Sequence, residues 1–424
     1  MCLGAALAFW LLVSSVLIQA SVAFQSFGRT TLQMSSSSGN DNVVICGGGI
    51  HGASLAYYLT LKGIKPTIIE RTSVAAAASG KAGGFLARGW GDGGITEALH
   101  HTGYDLHQEL AETLDIQSYR KLPTLSVNGG RKGKNPASWL DGKASSSIMD
   151  TNTAQVTPLE LTEKLMAKAI ERGASVRIGT VEGMQTEETE DGSSSVTGVI
   201  VDGETVACDK VVVTMGPWSV RAEEWFGMAV PIEGIKSTSV VYKDCQPVVE
   251  EPFACFCAED TNGCHLEIYP RPNGEVYICG IGGSDYVRGD RLKEGGDCQD
   301  AGLIGPDPAR VQAAARSFGG LSTSLGGSKG PDVVQACMRP CPSDGLPMMG
   351  PVPGFANAFM SAGHNCWGIL WAPVSGLAMA ELVAEGQARV VDLAPFNPGR
   401  FTARKRGAGK RGRHNQSTSV GEQW

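Results

Sequence analysis

The alternation of apolar and polar positions first becomes regular at residue 43. Val43-Val44-Ile45-Cys46 is an apolar run of strand length, and Ala53-Ser54-Leu55-Ala56-Tyr57-Tyr58-Leu59 has helical character. Between them stand Gly47, Gly49 and Gly52 in the G-x-G-x-x-G spacing, and a second apolar run, Thr67-Ile68-Ile69, ends in Glu70. Strand, glycine turn, helix, strand and acid in that order predict a dinucleotide-binding βαβ unit. Gly47 makes the tight turn, Gly49 admits a pyrophosphate, Gly52 lets the helix pack on the strand, and Glu70 stands at the ribose distance. The N–H groups at the start of the helix face the phosphates.

The pattern then predicts further elements. Residues 95–115 have helical spacing. Thr157, a candidate N-cap, and Pro158 open a helix that runs through Ile170 and ends at Gly173; Val176-Arg177-Ile178 and Val181 start the next strand. Residues 184–207 alternate, with Asp191-Gly192 and Asp202-Gly203 turns, as a β-meander. Lys210-Val211-Val212-Val213 is a buried strand leading to Gly216. Residues 118–150, rich in Gly, Lys and Ser, read as loops between short strands. From Pro231 to about residue 330 the strands become short and alternating: Ser237-Thr238-Ser239-Val240-Val241-Tyr242 is one, and residues 265–270 and 275–280 form a hairpin around Pro272-Asn273-Gly274. In the stretch from Ala358 to Val383 a strand leads through the glycine-containing turn Gly363–Gly368 into a helix. The expected fold is α/β: a Rossmann-like domain with a β-meander, made of residues 41–117, 151–233 and 331–395. A smaller antiparallel-sheet domain takes residues 118–150 and 234–330.

Composition adds limits. The chain has 424 residues, 42% hydrophobic and 19% charged, an ordinary globular balance with room for two domains. Its net charge is −7 although residues 400–424 hold seven Lys and Arg against Glu422. An acidic body with a basic tail argues against nucleic acid as the main partner, and the tail reads as a solvated, disordered end. The 12 cysteines show no framework spacing, so free thiols in a reducing compartment are expected. Cys255, Cys257 and Cys264 lack a matching second pair, and His100, His101 and His107 lack a second ligand group, so neither set predicts a metal.

Residues 3–22 are almost wholly apolar or small, and Ser21-Val22-Ala23 suits signal cleavage; a retained anchor is the competing reading. Residues 24–40 are rich in Ser and Thr and contain no acid, which is transit-peptide composition. Together with Ala20-Ser21-Val22-Ala23-Phe24, the segment resembles the bipartite presequence of algae with secondary plastids. Plastid import is therefore expected, with the secretory pathway as the alternative and no membrane span after cleavage.

Several later motifs sharpen the dinucleotide reading: the small-residue loop Ser79-Gly80-Lys81-Ala82-Gly83-Gly84, the Gly216-Pro217-Trp218-Ser219 turn, Arg339-Pro340 followed by Asp344-Gly345-Leu346-Pro347, and Gly363-His364-Asn365-Cys366-Trp367-Gly368. Over roughly residues 42–395 their order resembles the D-amino-acid oxidase, glycine oxidase and sarcosine oxidase family of FAD-dependent oxidoreductases. The resemblance implies FAD held by Gly47, Gly49, Ile50, His51, Gly52, Glu70 and Arg71, by Ser79, Gly80, Gly83 and Gly84 along the flavin, and by Val181 at the adenine. It adds Gly216, Trp218, Cys337, Gly363, His364, Asn365, Trp367, Gly368 and Ile369. It further implies that Arg339 clamps a substrate carboxylate and that His364 positions substrate or flavin; Tyr269 and Tyr277, on strands of the sheet that walls the substrate pocket in the family, are candidates to reach the substrate, with packing the commoner role for strand aromatics. Cys337-Met338 matches the pair that binds FAD covalently in monomeric sarcosine oxidases; the following residues do not, and a free thiol is the reading of the residues themselves. The strand that supplies an oxygen-activating lysine in sarcosine oxidases shows Ile278 here, which leaves oxidase and dehydrogenase both open.

The implied reaction is oxidation of the C–N bond of an amine or amino acid by hydride transfer to flavin, with O2 or another redox carrier as electron acceptor. Oxidation of a 2-hydroxy acid is the alternative enzyme reading. An assembly or trafficking factor that keeps the flavoprotein fold is the non-enzymatic one.

Overall fold

A computed structural model describes residues 41–402. The presequence expected at 1–40 and the basic tail from residue 403 lie outside the described residues. At its centre is a six-stranded sheet in the order Met348–Pro351, Ala358–Ala362, Lys210–Val213, Val43–Cys46, Thr67–Glu70, Ser175–Ile178. Val43–Cys46 runs parallel to both neighbours, and only Met348–Pro351 is antiparallel. Burial on both faces explains why these strands read as continuous apolar runs. Val43, Ile45 and Val212 face a core built with the helices Ile50–Leu61, Glu97–Thr113, Pro158–Glu171 and Gly368–Glu385. Val44, Cys46, Val211 and Val213 face the opposite way, onto the meander residues Val196, Val199 and Val201.

Gly368–Glu385 is long and apolar enough to cross a membrane, but it is largely buried as a core helix. The Pro158–Glu171 helix forms as expected with Pro158 in its first turn, yet Thr157 makes no side-chain cap. Its N–H instead donates to Ser118 Oγ (2.9 Å), which anchors the helix start to the preceding layer. The meander is present as the antiparallel strands Val181–Glu188, Ser194–Val201 and Glu204–Ala207.

The second large sheet has eight strands. Thr124–Gly129 and Ala144–Asp150 join it, so this Gly- and Ser-rich region is sheet as well as loop. So does Val333–Pro342, which pairs along its length with Ile232–Tyr242. This corrects the expectation that the cofactor-binding part resumes at residue 331. Pro340 and Pro342 argue against a strand by sequence, and the sheet accepts them because Val333–Pro342 lies on an edge, paired on one side only. The hairpin Glu267–Pro270 and Val276–Cys279 pairs Glu267 with Cys279 and Tyr269 with Tyr277. By strand alternation Ile268 and Ile278 enter the core against Phe318, and Tyr269 and Tyr277 face the other way. The disordered tail expected from residue 400 also starts too early. Arg400 is tied to Asp344 (2.8 Å) and to the Leu346 carbonyl (2.8 Å) within the turn Pro398–Phe401.

Candidate active site

One long cavity, about 330 Å3, runs past the C-terminal ends of the parallel strands and under the Tyr269 face of the second sheet. That is where open α/β sheets bind ligands. Its first part is the glycine turn. Gly47 has φ +111°, and a Cβ on Gly52 would overlap the Gly47 carbonyl oxygen, so both glycines are required by geometry. Gly52 therefore acts by packing and does not line the cavity, whereas Gly47, Gly49, Ile50 and His51 do. Gly80 is likewise a packing glycine, set against the Ala75 carbonyl, while Ser79, Gly83 and Gly84 line the cavity.

Glu70 does more than wait for a ribose. Its Oε2 accepts from the Gly48 N–H (2.7 Å) and its Oε1 from the Thr72 N–H (3.0 Å), which holds the turn in shape. A carboxylate has about four acceptor sites, so capacity for a sugar hydroxyl remains. Ser79 Oγ accepts from the Ile50 N–H (2.9 Å), linking the small-residue loop to the helix start. Thr214, which sequence reasoning missed, donates to the carbonyls of Cys46 and Gly47 at 3.0 Å each.

Val181, Gly216, Arg71 and Trp218 also line the cavity. Arg71 and Trp218 direct their donors to a covering segment: Arg71 Nε pairs with Asp300 (2.9 Å), and Trp218 Nε1 donates to the Cys298 carbonyl (2.9 Å). They hold that segment over the cavity as well as contributing their own surface.

At the far end His51 and His364 stack with ring centroids 3.5 Å apart and planes 16° from parallel. Burial pushes His51 down to about 3, only partly offset by the Gly368 backbone, and pushes His364 well below the ordinary histidine range. Both rings are neutral at physiological pH. His364 Nε2 lies 3.2 Å from Ser375 Oγ, which fixes the ring. Buried His364 Nδ1 and Asn365 Oδ1 have no hydrogen-bond partner among the described residues. Such leftover polar capacity beside an apolar slot suits the polar edge of a flavin. Gly363, Trp367, Gly368 and Ile369 line the same end, with Cys337 and Arg339 from the edge strand. Burial raises the Cys337 thiol, so it keeps its proton.

Opposite stand aromatic rings. Tyr269 is stacked between Phe85 (5.3 Å) and Tyr277 (6.1 Å), and a Cβ on Gly83 would fall 2.5 Å from the Tyr269 ring. Tyr269 donates its hydroxyl to Glu267, and the Cys279 thiol donates to the same carboxylate oxygen (3.4 Å). Glu267, Cys279 and Cys366 line the cavity and are further residues that the motifs did not single out. A signal was there: Leu266 and Ile268 alternate as core residues, which places Glu267 on the Tyr269 face. Ile278 is turned into the core, and Tyr277 and Cys279 on either side of it take the cavity positions.

The histidine cluster is used structurally. His100 donates to the Ala87 carbonyl (3.1 Å), His107 to that of Ile369 (2.9 Å), and His101 pairs with Asp92 (2.6 Å). Among the described residues no group of three or more His, Cys, Asp or Glu side chains is arranged to hold a metal.

Known proteins agree with this architecture. The chain is 24% identical to glycine oxidase of Pseudomonas aeruginosa over 85% of its own length and 99% of that protein. It is 23% identical to TDA3 of Saccharomyces cerevisiae, a protein named no more closely than an oxidoreductase, over 87% and 96% of the two chains. The crystal structure of glycine oxidase from Geobacillus kaustophilus superposes with a TM-score of 0.67 at 21% identity, covering 84% of this chain and 98% of that one. The family model described as FAD dependent oxidoreductase, DAO, matches residues 42–382, and the glycine cradle, the turn held by Glu70 and the orphaned polar edge at His364 and Asn365 suit its cofactor; the chain belongs to this family of FAD-dependent oxidoreductases.

Proposed function

We propose that the protein oxidises the C–N bond of an amino acid or related amine, and that the resulting imine is hydrolysed. The observation that carries this reading is Arg339, a guanidinium that lines the cavity together with the aromatic rings of Tyr269 and Tyr277, the thiols of Cys279 and Cys366 and the buried acid Glu267. Its planar fork matches a carboxylate bidentately and fixes the neighbouring carbon in one orientation. Bound FAD supplies the hydride acceptor. Phe85, Tyr269, Tyr277 and Trp367 exclude water around the substrate position. Neutral His364, stacked on His51 and held at Ser375, positions its surroundings and is not a proton store. The likeness to a glycine oxidase supports a small amino acid as the substrate class. The electron acceptor is O2 or another redox carrier.

The test is steady-state kinetics of Arg339→Ala. The reading expects kcat/KM to fall for carboxylate-bearing substrates with FAD content unchanged; unaltered kinetics remove Arg339 from the site. We also propose plastid import from the composition of residues 1–40. A fluorescent fusion of residues 1–45 that stays at the endoplasmic reticulum or cell surface contradicts it.

A further inference from the structure

Glu267 is 8% exposed, yet it lines the cavity. Buried carboxylates need partners, and the partners of this one are arranged on one side. Tyr269, from its own strand, and Cys279, from the paired strand, both donate to Oε2 and leave Oε1 out of those bonds. Burial raises both donors well above their ordinary values, so they keep their protons and Glu267 is the acceptor. Burial raises the Glu267 carboxyl above its ordinary value, and the hydrogen bonds from Tyr269 and Cys279, with Arg339 on the edge strand and His265, oppose that shift by favouring the charged form. The Cys366 thiol, in the turn 365–367, lines the same cavity and feels the negative charge of Glu267. At this end of the cavity Arg339 and Glu267 both line the wall and interact electrostatically.

We propose, building on the carboxylate-clamp reading of Arg339, that Glu267 receives the protonated amino group of the substrate and takes one proton from it. The balance is simple: an ammonium and a carboxylate become a neutral amine and a carboxylic acid, and no electrons move in this step. An amino acid carries no net charge, so it exchanges the Arg339–Glu267 attraction for two matched pairs. A carboxylic acid without the amine pairs Arg339 and leaves buried Glu267 without a cationic partner in the ligand, held by the Tyr269 and Cys279 hydrogen bonds. The site therefore selects amino acids over hydroxy acids by the penalty it imposes on the latter.

The test compares 2-aminoisobutyrate with pivalate, which have the same shape but differ in ammonium against methyl. The amino compound has no hydrogen on its α-carbon to transfer, so only binding is read, by perturbation of the flavin absorbance of the holoprotein. Wild type is expected to bind the amino compound roughly tenfold or more tightly than pivalate. Glu267→Gln is expected to bring the two dissociation constants together, with pivalate bound no worse, and Glu267→Asp to restore part of the preference. The ratio is taken within each variant, so general damage to the site cancels. An unchanged ratio in Glu267→Gln overturns the proposal, as does wild type that binds pivalate as well as the amino compound while Arg339→Ala binds neither. If neither ligand binds wild type, the Arg339 reading fails first and this one falls with it.

Discussion

A guanidinium among thiols and aromatic rings is stable when an anion lies nearby, and Arg339 has Glu267 as that neighbour. If Arg339 is the proposed carboxylate clamp, replacing it by Ala leaves the acid alone, and kcat/KM for carboxylate substrates should fall about a hundredfold or more. Arg339→Lys should recover little of it, because a point charge lacks the planar fork. Cys337 is half-buried in the cavity wall and its thiol is raised above the ordinary value by desolvation, so acid precipitation of the holoprotein should leave the flavin in the supernatant; flavin in the pellet contradicts the free-thiol reading. The buried histidines give a pH signature. Burial lowers His51 to about 3 and His107 to about 4, and it also puts His364 well below the ordinary histidine range. In the unfolded chain they titrate near 6.5, so as pH falls below that value the unfolded state binds protons that the native state refuses. Stability should then drop by about 1.4 kcal/mol per pH unit for each such histidine, down to its folded value. Melting curves between pH 7 and 4.5 check this. His107→Gln, which keeps a donor for the Ile369 carbonyl, should flatten the slope, and an equal slope contradicts the assignment.

At the scale of elements, the contact of the Ile50–Leu61 helix with the first strand decides whether the cofactor cradle exists. A methyl group on Gly52 collides with the Gly47 carbonyl and crowds Thr214 Oγ1 at 2.9 Å, so Gly52→Ala should lower both Tm and FAD retention. Gly320→Ala, in a helix where a Cβ meets nothing within 4 Å, should leave FAD retention alone and raise stability by about 0.4–1 kcal/mol. Equal behaviour of the two variants would remove the packing role of Gly52. The Rossmann strands, the meander and the hairpin are legible in the sequence because burial writes itself as apolar runs or strict alternation between turn residues. Val333–Pro342 is not legible: its two prolines signal a loop, and only an edge position with a partner on one side makes them compatible with a sheet. Glu267 escapes motif reading for a related reason. Its importance depends on which face of Glu267–Pro270 meets the cavity, and the long-range pairing of the second sheet sets that.

Across the molecule, two sheets contribute different halves of the site. The six-stranded sheet supplies the glycine cradle and the His364–Gly368 turn, and the eight-stranded sheet supplies Arg339, Glu267 and the tyrosine wall. Of the proposed cofactor half, the glycine turn and Glu70 are legible from spacing, and the flavin-side loops only through the family resemblance. Of the proposed substrate half, Arg339 is named through that same resemblance and Tyr269 as a strand aromatic, whereas Glu267 beside them is not legible, because strands far apart in the chain assemble that face. The central claim is that this assembly oxidises C–N bonds in carboxylate-bearing amines. It is tested most directly by following the visible flavin absorbance of purified holoprotein under anaerobic conditions, with amino acids and their 2-hydroxy-acid counterparts added in turn. The account predicts bleaching by at least one amino acid and none by the matching hydroxy acid. Bleaching by the hydroxy acid instead, or by no member of the panel, would contradict it.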